Sequence, residues 1–207
     1  MNILLATVAL EKNRWSTKVP SVAISGYLPR IRRAGFDGIE LWENHAESVP
    51  AAEREALKGI PVEIFNSYCT FDEAGQEQRL RAAATGAYYG AKGMKWNVAN
   101  DGAQRDRYFQ SAVDLVRRLP KGFRFLCECH PNTLLETPPE AEAFLAALEK
   151  ETAGTGVAIQ AIVHPFSAKG ALEAWLAQLG PRSTHAHVQA RDGNNKVGAL
   201  RSAEPLV

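Results

Sequence analysis

Glu128 closes the apolar run Phe123-Arg124-Phe125-Leu126-Cys127 and is followed by Cys129-His130-Pro131-Asn132-Thr133. A carboxylate at the exit of a buried strand, just before a turn, faces a pocket, which is where α/β folds assemble active sites. Its chemistry there is proton transfer or cation binding. The alternative is a salt-bridged carboxylate at the rim, because a lone buried carboxylate is costly without a cation or donors. Polar groups recur at the ends of other apolar runs: Glu40, Trp42, Glu43 and His45; Asn66 and Tyr68; Lys95, Trp96 and Asn97. An indole among carboxylates and imidazoles suits a sugar, whose C–H face packs on the ring while its hydroxyls meet polar groups. Trp42 is the candidate platform, whereas Trp96 and Trp175 read as core, and Glu40 is equally a salt-bridge partner for Lys95. His185 and His187 lie two residues apart and share one strand face, with His185 the deeper.

Positioning such groups requires strands, and the chain alternates strand-like runs with amphipathic stretches. The runs are Ile3 to Ala9, Gly38 to Trp42, Pro61 to Ser67, Gly93 to Val98, Phe123 to Cys129, Val157 to Val163 and Thr184 to Gln189. Between them, Tyr108, Ala112, Leu115 and Leu119 share one helical face, and so do Leu172, Trp175, Leu176 and Leu179. Gly35, Gly59, Gly90 and Gly180 stand where helices should stop. Thr137-Pro138-Pro139-Glu140 reads as a capping box with proline at the first helical position, opening a helix over Ala141 to Lys150. Repeated βα units predict a parallel sheet covered by helices, an α/β fold closer to a (β/α)8 TIM barrel than to an open sheet. The eighth βα unit is absent: a polar stretch follows Asp192. The expectation is one domain over residues 1–207, incomplete at its C-terminus, with the edges of strands one and seven needing more chain or a homo-oligomer to cover them.

Composition narrows the function classes. A chain of 207 residues, 45% hydrophobic and 23% charged, has ample material for a core. A net charge of +1 gives no bulk attraction to nucleic acid or an anionic membrane. No apolar run approaches the roughly 20 residues of a membrane span, and the first residues lack the basic flank of a signal peptide, so the expected location is cytoplasmic. Cys127 and Cys129 flank Glu128 and should point to the opposite face as reduced, packed thiols. The arginines at 30, 32 and 33, and the pair Arg117-Arg118, read as solvated helix faces.

Gly35-Phe36-Asp37-Gly38-Ile39-Glu40-Leu41-Trp42, the segment Glu128 to Leu134, and Thr184-His185-Ala186-His187-Val188 occur in an order that resembles the xylose isomerase-like TIM-barrel superfamily. That superfamily includes sugar and sugar-phosphate isomerases and epimerases and the type IV apurinic endonucleases. The resemblance implies a divalent metal (Mn, Mg, Co or Zn) held by a glutamate of strand five, an aspartate of strand six, a histidine of strand seven and a glutamate of strand eight. Glu128 matches the first ligand and His187 the third, against the alternative of a core histidine. For His185 a core histidine bonded to a carbonyl, or a substrate contact, is the reading. His164 matches the histidine beyond the strand-six aspartate and is a catalytic candidate with Glu128. Glu40, Trp42, His45, Asn66, Asn97, His130 and His185 are the candidate substrate contacts.

Two departures accompany the matches. Strand six has no aspartate; Gln160 or Ala161 takes its place, and an amide oxygen coordinates a hard ion without charge, so the metal should be held weakly or not at all. The strand-eight glutamate is missing, and Glu204 comes too soon after strand seven to replace it. The implied function is isomerisation or epimerisation of a sugar or sugar phosphate by metal-assisted proton transfer next to a carbonyl. A non-catalytic carbohydrate-binding protein is the alternative. An apurinic endonuclease fits less well, since it needs many histidines and a basic surface and this chain has five histidines and a charge of +1.

Overall fold

The computed structural model describes residues 1–11, 19–129, 131–163 and 172–188. Within them, β1 (Leu4–Ala6), β2 (Gly38–Trp42), β3 (Val62–Asn66), β4 (Gly93–Trp96), β5 (Arg124–Glu128), β6 (Ala158–Val163) and β7 (His185–Ala186) form one sheet in chain order. Each strand is parallel to the next. The connections carry α1 (Leu28–Arg33), α2 (Glu43–Glu47), α3 (Ala51–Ala56), α4 (Gln76–Tyr88), α5 (Arg105–Val116), α6 (Pro138–Glu151) and α7 (Leu172–Leu179). A flat sheet would hold β2 and β7 about 24 Å apart, five strand spacings. Instead Glu40 of β2 lies 3.0 Å from His185 and 2.9 Å from His187, so the sheet curls into a barrel. Among the described residues β1 and β7 are not paired with each other.

The register decides what faces inward. Glu40 is level with Ile64, Asn66 with Lys95, Lys95 with Leu126, and Glu128 with Ile162, which is level with His185. Ile64, Leu126 and Ile162, with Leu4 against them, form an apolar plug inside the barrel. The ionisable side chains stand around and above it. Gly93 faces the same interior, where a Cβ would lie 2.7 Å from Leu126 Cδ1 and 2.8 Å from the Arg124 carbonyl oxygen, so only glycine fits. The alternate residues Phe65, Met94, Phe125, Cys127 and Ala161 pack outward under the helices. Trp96 stacks on Phe125 at 4.5 Å between ring centroids, and Trp175 is buried in the same layer, both as core. Cys127 and Cys129 are buried free thiols on this side.

Local differences from the sequence reading have local causes. β1 ends at Ala6 because Thr7–Leu10 winds into a 3-10 turn whose Thr7 hydroxyl accepts from the Trp42 amide at 2.9 Å. β7 is two residues long, although the His187 amide still donates to the Val163 carbonyl at 3.1 Å. At α6 the Thr137 hydroxyl donates to the Glu140 carboxylate at 2.6 Å instead of capping a backbone amide, and the helix begins at Pro138. Gly35 and Gly90 end their helices with φ of 83° and 68°.

Candidate active site at the strand exits

Glu40 is the hub. Only 2% exposed, it accepts from Asn66 Nδ2 at 2.7 Å through Oε1, and its Oε2 meets both His185 Nε2 and His187 Nε2. Burial by itself would raise its pKa; the charge on His187 and the hydrogen bonds from His185 and His187 outweigh that and hold it well below the usual carboxylate range. His187 bridges two acids, since its Nδ1 lies 3.1 Å from Glu128 Oε1. Burial would lower its pKa, but the charge of Glu40 and the bonds to Glu128 and Glu40 raise it to about 9. Without a metal His187 is therefore held toward its protonated form, and ligating a cation would displace that proton.

Lys95 completes the chain. It is 1% exposed, donates to Glu128 Oε2 at 2.5 Å and lies 4.6 Å above the Tyr68 ring. Burial opposes its charge, and Glu128 and Tyr68 more than compensate, so its pKa is raised. The expected Glu40–Lys95 pair is thus corrected: both Glu40 oxygens are occupied, and Glu128, two residues beyond Leu126 on the neighbouring strand, is the carboxylate in reach. An ammonium inside the strand Gly93–Trp96 was the sequence signal for this residue.

The metal-capable set also differs from the expected one. One ligand atom from each of Glu40, His185 and His187 lies within 4.8 Å of the others. Two imidazoles and a carboxylate form a donor set suited to zinc or to a first-row divalent ion. The residues present therefore fit a divalent cation. Glu128 does not join this triad; it stands beside it, tied to Lys95. Gln160 is not brought to the site: it is level with Leu126, one inward pair below Glu128, and its amide oxygen accepts from Thr184 at 2.6 Å. Ala161 points outward into the helix-side core, and the residue facing Glu128 from β6 is Ile162. His185, expected deep and bonded to a carbonyl, meets the Glu40 carboxylate instead.

Trp42 is corrected only as a stacking platform, and His45 is engaged within the protein. Trp42 is 1% exposed, with the His45 ring edge-on at 5.0 Å, which leaves no open face for stacking. His45 is fully buried, 2.7 Å from Glu11 Oε1 and 3.1 Å from Thr7 Oγ1. Glu11, missed in the sequence although it closes Val8-Ala9-Leu10 as Glu128 closes its own strand, also accepts from the Ser21 amide and hydroxyl at 2.8 and 2.5 Å. Burial would raise the Glu11 pKa; Ser21 and His45 lower it. At His45 burial wins over Glu11 and its pKa is lowered. Asn66 joins the site through Glu40, and Asn97 is half-buried two residues beyond Lys95. His130 and His164 lie outside the described residues.

A curled parallel sheet with its ionisable groups gathered at the strand exits is a TIM barrel with its candidate active site at the expected face. Among solved structures, the chain shares the fold of the xylose isomerase-like TIM barrels. It matches such a protein from Mycobacterium smegmatis in complex with magnesium (TM-score 0.68, 16% identity, 92% of this chain and 76% of that one). It also matches the probable 3-DHS dehydratase AsbF of petrobactin synthesis from Bacillus anthracis (TM-score 0.63, 20% identity, 99% and 78%). A third match is endonuclease IV from Thermus thermophilus (TM-score 0.57, 17% identity, 90% and 77%). No protein-family model and no curated protein matches the chain. Among the described residues no helix is long and apolar enough to cross a membrane.

Proposed function

We propose that the chain is a divalent-metal-dependent isomerase or epimerase of a sugar or sugar phosphate, working by proton transfer next to a carbonyl. The observation that carries this reading is the juxtaposition of the Glu40, His185 and His187 donors with the Glu128–Lys95 pair, all joined through His187. Glu40, His185 and His187 would hold the ion, which supplies polarisation of substrate oxygens.

Glu128, whose side chain is 13% exposed, is the group that takes the proton from the substrate carbon. Lys95 keeps that carboxylate in place and supplies positive charge where an enediolate develops. Asn66 holds the Glu40 carboxylate through its Nδ2 donor. One carboxylate beside the metal-capable triad suits aldose–ketose interconversion, in which a single base serves both carbons. The apolar plug of Ile64, Leu126 and Ile162 closes the barrel below the site. In this reading the partners are small sugars, and a net charge of +1 offers nucleic acid no bulk attraction.

Two measurements test it together: calorimetric titration with Mn²⁺, Mg²⁺, Co²⁺ and Zn²⁺, and solvent deuterium incorporation into a panel of pentoses, hexoses and their phosphates. Wild type should take up metal and label at least one sugar. Glu128→Gln should keep the fold and lose about 10²- to 10⁴-fold in exchange rate. Unchanged exchange in Glu128→Gln would make the carboxylate structural. Metal uptake without any exchange would favour a carbohydrate-binding protein, for which the uncharged Ile162 facing Glu128 is the supporting observation.

A further inference from the structure

Two buried polar atoms at the strand exits have no hydrogen-bond partner among the described residues, and they belong to register partners on neighbouring strands: Trp42 Nε1 on β2 and Asn66 Oδ1 on β3. The residues are 1% and 3% exposed. The orientation of the Asn66 amide is fixed by chemistry. An ionised carboxylate only accepts, so the atom 2.7 Å from Glu40 Oε1 is Nδ2 and the unpartnered atom is the oxygen. An indole nitrogen only donates. Buried donors and acceptors are nearly always paired, so a donor and an acceptor left open on adjacent strands call for one particular kind of group.

Trp42 differs from the other tryptophan with an unpartnered nitrogen. Trp96 is stacked on Phe125 in the helix-side core, whereas Trp42 belongs to neither apolar cluster and stands two residues beyond Glu40 on the same face of β2. We infer that Trp42 and Asn66 together bind one hydroxyl-type oxygen, and that in the complex this oxygen is a hydroxyl of the substrate seated beside Glu40. The inference rests on the sugar-directed reading of the site and names the group that sets specificity within it.

The donor and acceptor pattern selects the class of ligand. A hydroxyl accepts from the indole and donates to the amide oxygen in one stroke. A carboxylate or a dianionic phosphate accepts only and would press a lone pair against Asn66 Oδ1. An ammonium donates only and would leave the indole unmet. Water has the same pattern as a hydroxyl and occupies the place in the free protein; the substrate hydroxyl replaces it.

Crystal structures of the full chain with and without the linear pentitol xylitol separate these sources. Free protein should show one oxygen within about 3.2 Å of both Trp42 Nε1 and Asn66 Oδ1, and the xylitol complex should show a ligand hydroxyl in that position. Trp42→Phe removes only the N–H and should bind xylitol about tenfold more weakly. For one of the mono-deoxypentitols the variant and wild type should bind alike, because the lost group has no partner there.

An empty position, an indole bonded to a protein acceptor, a water that persists with xylitol bound, or failure of wild type to bind xylitol would each overturn the inference. So would an equal loss in Trp42→Phe for every pentitol. If Trp42→Phe does not fold, the two wild-type structures decide. An oxygen bridging Trp42 and Asn66 in a protein that neither takes up metal nor exchanges deuterium would strike the proposed reaction while leaving this subsite standing.

Discussion

His45 and His187 both sit beside carboxylates at the strand exits, one next to β1 and the other at the mouth of the barrel. At His45 the hydrogen-bonded carboxylate, Glu11, already serves the Ser21 amide and hydroxyl, and burial prevails over Glu11 and the more distant Glu53, so the imidazole pKa is lowered. At His187 two carboxylates, Glu40 and Glu128, flank one ring, and their combined charge overcomes burial and raises its pKa to about 9. The number of carboxylates hydrogen-bonded to each imidazole, set against its burial, separates the two shifts. The His45 cluster ties the start of α2 to the end of β1 and the chain around Ser21. The His187 cluster has ligand atoms arranged for a cation.

The sharpest way to break this contrast is to remove the hub of the mouth. Glu40→Ala leaves a cationic His187, His185 and Asn66 Nδ2 without their shared acceptor, and should cost about 3–5 kcal/mol in urea denaturation, as loss of one partner of a buried ion pair does. It should also abolish metal uptake. A variant as stable as wild type would show that the carboxylate is not the centre of the cluster.

Removing the imidazole beside β1 should have a smaller effect. His45→Ala leaves Glu11 and Thr7 short of a partner and should cost about 1–3 kcal/mol, with metal affinity unchanged. Impaired metal binding in this variant would mean that the two regions act as one.

In metal-free protein the pH dependence should separate the two histidines by sign. His187 has a folded value above its unfolded one, so its stabilising contribution is complete below about pH 6.5, the ordinary histidine value. That contribution is lost as pH rises through about 9, while Glu40, whose pKa is lowered, stays ionised; Glu128 is the other acid facing the ring. His45 has a lowered value, so protons bind the unfolded chain first and stability is lost as pH falls below about 6.5. Denaturation of wild type and His187→Gln across this range should show the difference between them shrinking toward high pH; a constant difference would contradict the assignment.

Gln160→Ala should change least. The amide contacts Thr184 near the lower end of β6, so the expected cost is within about 0.5 kcal/mol and metal uptake should not change. A clear loss of metal affinity would restore Gln160 to the site.

The residues that the sequence located well are those whose evidence is alternation along one strand. Glu128 at the end of β5, Cys127 and Cys129 on the opposite face, and His185 with His187 on a shared face all follow from a side-chain period of two. The misplaced residues are those whose role depends on height inside the barrel. Gln160 has the right face and the wrong level, and Trp42 has the right strand end but its ring is closed off from stacking by burial and the edge-on His45 ring. Stagger between strands is a property of the closed sheet and leaves no mark on any one strand.

The sequence by itself determined the repeating βα order, the inward and outward faces of each strand, and the presence of acids and imidazoles at the strand exits, because these follow from local periodicity and the places where apolar runs stop. Only the tertiary structure decided that Glu40 rather than Glu128 is the shared partner of both histidines and that Lys95 belongs to Glu128. Glu40 and His187 are 147 residues apart. The curl of the sheet brings them within hydrogen-bonding distance, and in a buried cluster the carboxylate nearest the most donors becomes its centre.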